Sequence, residues 1–252
     1  MVERYGDDPL EVQSDTGVQM PAFTALLDDL LTTLDSVLVR ASPHREPSIV
    51  PGVEPPRLTV YEWTGPGVRR ARMAFLGANS GTFAVSCAAF PAVGSAFPLF
   101  SFEYLVVRER LQLVTLDLLD TDPGDDGWSR DQLRRARRIL ELPVTPADIP
   151  PLPPWAAAAL SPSAIVVGTP AKLPAAGLVR RAVVETLDAF LFCSRPSAGA
   201  ATPARHTAQN RFHDAMLAAG PGLAFFREVV GAEVDALASA VLFPRIPDEP
   251  LP

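Results

Sequence analysis

LFSFEYLVV at 99–107 and LQLVTLDLL at 111–119 decide the fold. Only Arg108, Glu109 and Arg110 separate them, and both runs are rich in residues that suit a pleated surface. So short a link makes the two strands antiparallel neighbours, because a parallel pair needs a crossover of about a dozen residues. Both runs are apolar on nearly every residue, so both faces of the sheet must be covered. Upstream, RLTVYEW (57–63), VRRARMAFL (68–76) and TFAVSCAAF (82–90) read as further strands. Turn-forming stretches separate them: GPG at 65–67, GANSG at 77–81 and PAVGSAFP at 91–98. Four or five strands in a meander are expected. The absence of a strand–helix–strand rhythm disfavours a parallel doubly wound sheet.

Helices flank this region. Phe23, Leu26, Leu27, Leu30, Leu31, Leu34, Val37 and Leu38 recur at three- and four-residue spacing, which predicts an amphipathic helix from Pro21. RDQLRRARRILEL (130–142) reads as a basic helix with Ser129 as its cap. WAAAALSPS and AIVVGTP suggest a short helix and a short strand. LVRRAVVETLDAFLFC (178–193) and the tail from about 204 to 243 are helical, the tail interrupted by Gly220-Pro221-Gly222. The expected architecture is an α/β three-layer α/β/α sandwich, a central antiparallel sheet flanked by helices. It forms a single domain over 21–252, after a flexible lead-in at 1–20.

Composition bounds the function. The chain has 252 residues, 48% hydrophobic and 20% charged, enough for a core without staples. It holds no run of 18 apolar residues and its start, MVERYGDDPLEVQSD, is acidic. The sequence thus predicts neither a membrane span nor a secretory signal, and cytoplasmic location is the default. Cys87 and Cys193 stand far apart, against a disulfide framework or a cysteine-built zinc site. A net charge of −7 disfavours binding to nucleic acid. All basic residues but Lys172 are arginine, and they cluster at 69–72 and 134–138.

No dinucleotide, phosphate-loop, zinc-protease or nucleophile-elbow motif is present. Glu103 is the unusual residue: a carboxylate in an apolar strand, on the same side as Ser101 and Leu105. Burial would raise its pKa, as a proton donor near neutrality requires. The alternative is an ion pair with Arg70 or Arg72 on the neighbouring strand. Along HTAQNRFHDAML, helical spacing puts His206, Gln209, Asn210 and His213 on one face, aimed either into a pocket or into water.

The segment from Tyr61 to Leu119 resembles the core of the ferredoxin-dependent bilin reductases and the related red chlorophyll catabolite reductases. Trp63, Arg70 to Arg72, SCAAFP (86–91), PLFSFE (98–103) and LDLLD (116–120) follow the family's order of motifs. SPSAIVV (161–167) and GAEVDALASAVLFP (231–244) resemble its later segments. The resemblance implies a reductase of a linear tetrapyrrole, acting on a CH–CH bond by sequential electron and proton transfer. It implies no bound cofactor, with a reduced acidic ferredoxin as external donor, and a monomer or homodimer. Glu103 falls at the family's proton-donor position, and Ser86 where some members have a histidine. The late acid has no counterpart in AMLAAGPG, so His213 and Asp214 become the other catalytic candidates. Arg70, Arg72, Ser86, Ser101, His206 and Asn210 become substrate-contact candidates. Arg69, Arg70, Arg72, Arg180, Arg181 and Arg195 are candidates for substrate carboxylates, and the Arg134–Arg138 helix for the ferredoxin. The alternatives are a pigment-binding module without turnover, and an enzyme of specialised metabolism reusing the fold.

Overall fold

The strands form one seven-stranded sheet in the order β1-β2-β3-β4-β5-β6-β7, every neighbour antiparallel. They are β1 (Val39–Arg40), β2 (Arg57–Gly65), β3 (Val68–Ala78), β4 (Thr82–Pro91), β5 (Leu99–Val107), β6 (Arg110–Leu119) and β7 (Ile165–Gly168). The structure is a computed structural model, and it describes residues 19–41, 57–78, 82–92, 95, 97–108, 110–120, 127–169, 173–193, 203–231, 234–235 and 238–246. Most of the expected lead-in, and the proline-rich stretch before β2, lie outside these residues.

The expected meander is present but longer. The two-residue β1 extends one edge by pairing with β2, and β7 extends the other. Neither carried a sequence signal for its place, since β1 is too short for periodicity and β7 returns to β6 only after an intervening stretch of helices. Gly65, Pro66 and Gly67 turn β2 into β3, and Gly67 takes φ +75°, a conformation that suits glycine.

Six helices cover the sheet among the described residues. On one face lie α1 (Gln19–Asp35), α2 (Gly127–Ile139) and α4 (Ala176–Cys193). On the other lie α3 (Pro154–Ala159), α5 (Pro203–Ala219) and α6 (Pro221–Val230), with a π-turn at Ala238–Leu242. The α/β/α layering is the one the sequence predicts. Helix α1 starts two residues before Pro21. Ser129 does not cap α2: the helix starts at Gly127, and Ser129 is buried inside it, donating to Asp120 Oδ1 at 2.5 Å.

The two faces differ in chemistry because strand alternation sorts the side chains. Trp63, Met73, Phe83, Val85, Phe100, Phe102 and Tyr104 point to the α1–α2–α4 side and form a largely apolar core. The opposite side carries small residues, Ala74, Ala84 and Ala88, and a buried polar group at its centre. Among the described residues no helix is long and apolar enough to cross a membrane.

Candidate functional site

Register builds the polar group. Ala74, Ser86, Glu103 and Thr115 face one another across β3 to β6, and Arg72, Ala88, Ser101 and Asp117 form the next row. All six polar members are buried. Six buried polar side chains on one sheet face need partners, and most find them.

Glu103 is 4% exposed. Its Oε1 accepts from Ser86 Oγ at 3.4 Å, and its carboxylate also accepts the backbone N–H of Gly222. Oε2 has no partner among the described residues. Gly222 lies in the first turn of α6. Pro221 before it has no N–H, so the first donor the helix offers is that of Gly222. A Cβ at position 222 would sit 2.6 Å from Glu103 Oε1, so a larger residue there would force the carboxylate or the helix to shift. Burial pushes the Glu103 pKa up. The Arg72 charge, Ser86 and Gly222 oppose that rise.

Arg72 is fully buried and does not pair directly with Glu103. Its Nη1 donates to Ser86 O and Oγ, both at 2.7 Å, and its Nε to Leu242 O at 2.5 Å. Its guanidinium lies 4.7 Å from the Phe243 ring centroid. Burial pulls its pKa down to about 10, so it stays cationic at neutrality. Ser86 therefore links arginine to carboxylate. The expected ion pair is corrected here: β4 lies between β3 and β5, so an arginine of β3 is two strands away. Arg70 instead pairs with Glu62 on β2.

The α5 stripe faces inward, onto backbone and not onto Glu103. Asn210 Nδ2 donates to Ile246 O at 3.1 Å, and Ile246 N donates to Asn210 Oδ1 at 2.9 Å. His213 Nδ1 meets Phe243 O. Arg69 Nη2 bridges Gln209 Oε1 and Pro244 O. Asn210 and His213 strap the segment 242–246 to α5, and Arg69 ties it to β3. Asp214 is exposed, 3.6 Å from Arg245, so the helix turns His213 in and Asp214 out. The side chain of His206, and Arg195, lie outside the described residues.

The other arginines are also placed elsewhere. Arg180 pairs with Asp29, and Arg181 and Arg135 pair with Glu185. The Arg180 and Arg135 pairs join α4 to α1 and α2 on the apolar side, the Arg181 pair lies within α4, and the sheet stands between them and Glu103. Arg137 is buried and donates to Ala164 O at 2.7 Å, which leaves Arg130, Arg134, Arg135 and Arg138 as the exposed arginines of α2.

A cavity of about 840 Å³ opens at the end of β6 between α3 and α5. That volume lies in the range of small-molecule sites. Leu118, Leu160 and Phe212 supply apolar wall, and Arg130, Ser161 and Arg211 supply polar wall. Beside it, wholly buried Asp117 accepts from Ser161 N at 2.8 Å and Ser161 Oγ at 2.5 Å. Burial pushes its pKa up to about 6, helped by Asp120 and opposed by Ser161. Sequence reading had both residues in view, in LDLLD and SPSAIVV. It assigned them no role, because 44 residues separate them and no local pattern marks the contact. Among the described residues no cluster of His, Cys, Asp or Glu could hold a metal ion.

An antiparallel meander with helices on both faces is the fold class of the bilin reductases, as the sequence resemblance implied. In particular, phytochromobilin synthase from tomato, solved in complex with biliverdin, matches with a TM-score of 0.66 at 15% identity, over 88% of this chain and 82% of its own. PcyX matches with a TM-score of 0.57 at 14% identity, over 89% of this chain and 99% of its own. No protein-family model and no curated protein matches the sequence.

Proposed function

We propose that the chain binds a linear tetrapyrrole on the polar side of its sheet and reduces it with electrons from a reduced ferredoxin. Glu103 is the proton donor. The observation that carries this reading is a buried glutamic acid with one unpartnered oxygen, in a fold shared with a protein solved with biliverdin. Reduction of one double bond takes two electrons and two protons. A ferredoxin delivers the electrons singly, the conjugated substrate holds the first, and the protein supplies protons at chosen positions. Burial raises the Glu103 pKa, which favours the protonated form a donor needs. The exposed arginines of α2 favour an acidic partner despite the net negative charge.

A second reading is a pigment carrier without turnover. It is favoured by the seating of α6: the Gly222 N–H already occupies the Glu103 carboxylate, and Ser86 stands where a second proton donor is expected. One experiment separates the two. Biliverdin and red chlorophyll catabolite are each mixed with the protein, spectra are recorded, and a reduced ferredoxin system is added without oxygen. A shifted band followed by bleaching or a new product supports the reductase. A shift with no turnover supports the carrier, and no shift with either pigment overturns both.

A further inference from the structure

Asp117 and Ser161 are not needed by the Glu103 chemistry, yet they form the other buried acid centre on the same sheet face. Asp117 opposes Ser101, and Glu103 opposes Thr115, so the two acids are diagonal neighbours on adjacent strands. Diagonal positions lie about 7–8 Å apart, within the span of one extended pigment. Both oxygens of Asp117 are turned to Ser161, and Ser161 lines the cavity at the end of β6. With a pKa of about 6 the carboxyl is ionised at neutral pH, and an ionised carboxylate only accepts hydrogen bonds. The hydroxyl proton of Ser161 is therefore committed to Asp117. What Ser161 has left is lone-pair capacity, strengthened by the charge behind it. A ligand meeting this hydroxyl must donate.

We propose that Ser161, backed by Asp117, is a ligand-binding centre that accepts a hydrogen bond from a pyrrole or lactam N–H of the pigment held in the β6 cavity. The proposal rests on the tetrapyrrole reading and adds to it a second contact, one row from Glu103. Ser161 touches the ligand. Asp117 is a positioning residue that acts through it. The two hold one end of the pigment in the β6 cavity, with Asp117 one row from Glu103 on the sheet.

The test is a double-mutant cycle on biliverdin binding with Ser161→Ala, Asp117→Asn and the pair, scored by dissociation constant and by the visible band of the bound pigment. Each single variant is expected to weaken binding about tenfold, one lost hydrogen bond to a charge-backed acceptor. The band should shift, and the double variant should be no weaker than the worse single. In Ser161→Ala the backbone N–H still holds Asp117, so this variant decides the question even where Asp117→Asn fails to fold. Affinity and band unchanged in Ser161→Ala, with only the melting temperature lowered, would reduce the pair to a structural pin. That outcome overturns the centre and leaves the tetrapyrrole reading standing, because Glu103→Gln still reports on that reading. Wild-type protein that binds no biliverdin overturns both.

Discussion

The two faces of the sheet are made by the same strands, and they could hardly differ more. Beneath α1 and α4, Phe23 stacks near Phe83 and Tyr104, and Phe97, Phe100 and Phe190 cluster beside them. Beneath α5 and α6, Arg72, Ser86, Ser101, Glu103, Thr115 and Asp117 are equally buried. Burying polar groups costs stability unless each is matched, so the second face spends what the first one gains. A face built only to be stable has no need of an acid with one oxygen left unpartnered. The unpartnered oxygen of Glu103 is the sign that stability alone did not shape that side.

The sharpest way to break the comparison is at Glu103 itself. Glu103→Gln should keep the fold and pigment binding while slowing reduction about 10²- to 10⁴-fold, measured by anaerobic single-turnover absorption. Near-normal turnover would remove the donor role. Loss of folding would make the residue structural. The opposite face should respond the other way. Phe102→Ala should cost about 3–5 kcal/mol in chemical denaturation, with turnover per folded molecule unchanged.

Acidity separates the faces more finely. Asp117 has its pKa raised from 3.8 to about 6, so between those values the folded chain holds more protons than the unfolded one. Stability contributed by the protonated form is present at low pH and is lost as pH rises through that window. The loss from Asp117 is on the order of 2–3 kcal/mol, and Glu103 adds to it with the same sign. Denaturation of wild type and Asp117→Asn from pH 4 to 7 checks this. The variant should show a flatter fall, and parallel curves would refute the assignment. The smallest effect is expected at the strap. Asn210→Ala should cost about 1–2 kcal/mol and speed hydrogen exchange of the Ile246 amide, which donates to Asn210. Pigment reduction should change little.

Legibility in the sequence followed the range of the interactions. Strand alternation is local, so β5 disclosed both its place in the meander and the side on which Glu103 lies. Helical spacing likewise disclosed that Gln209, Asn210 and His213 share a face. It could not disclose what that face meets, because the partner is a backbone segment some 30 residues later, at Phe243 and Ile246. The partners of the arginines were hidden for the same reason. Arg180 is bound to Asp29 from the opposite end of the chain. Asp117 and Ser161 were each visible in a motif, and only their meeting in space gives them meaning.

The contact between Gly222 and Glu103 has a consequence for how this fold can vary. A Cβ at position 222 and a glutamate at 103 compete for the same space, with 2.6 Å between them. The two positions are therefore one choice made in two places. An aspartate at 103, shorter by one methylene, frees the volume that an alanine at 222 would fill. Among chains of this fold, the length of the acid on β5 should track the size of the residue at the start of α6. Glu103→Asp and Gly222→Ala should accordingly be better tolerated together than Gly222→Ala alone.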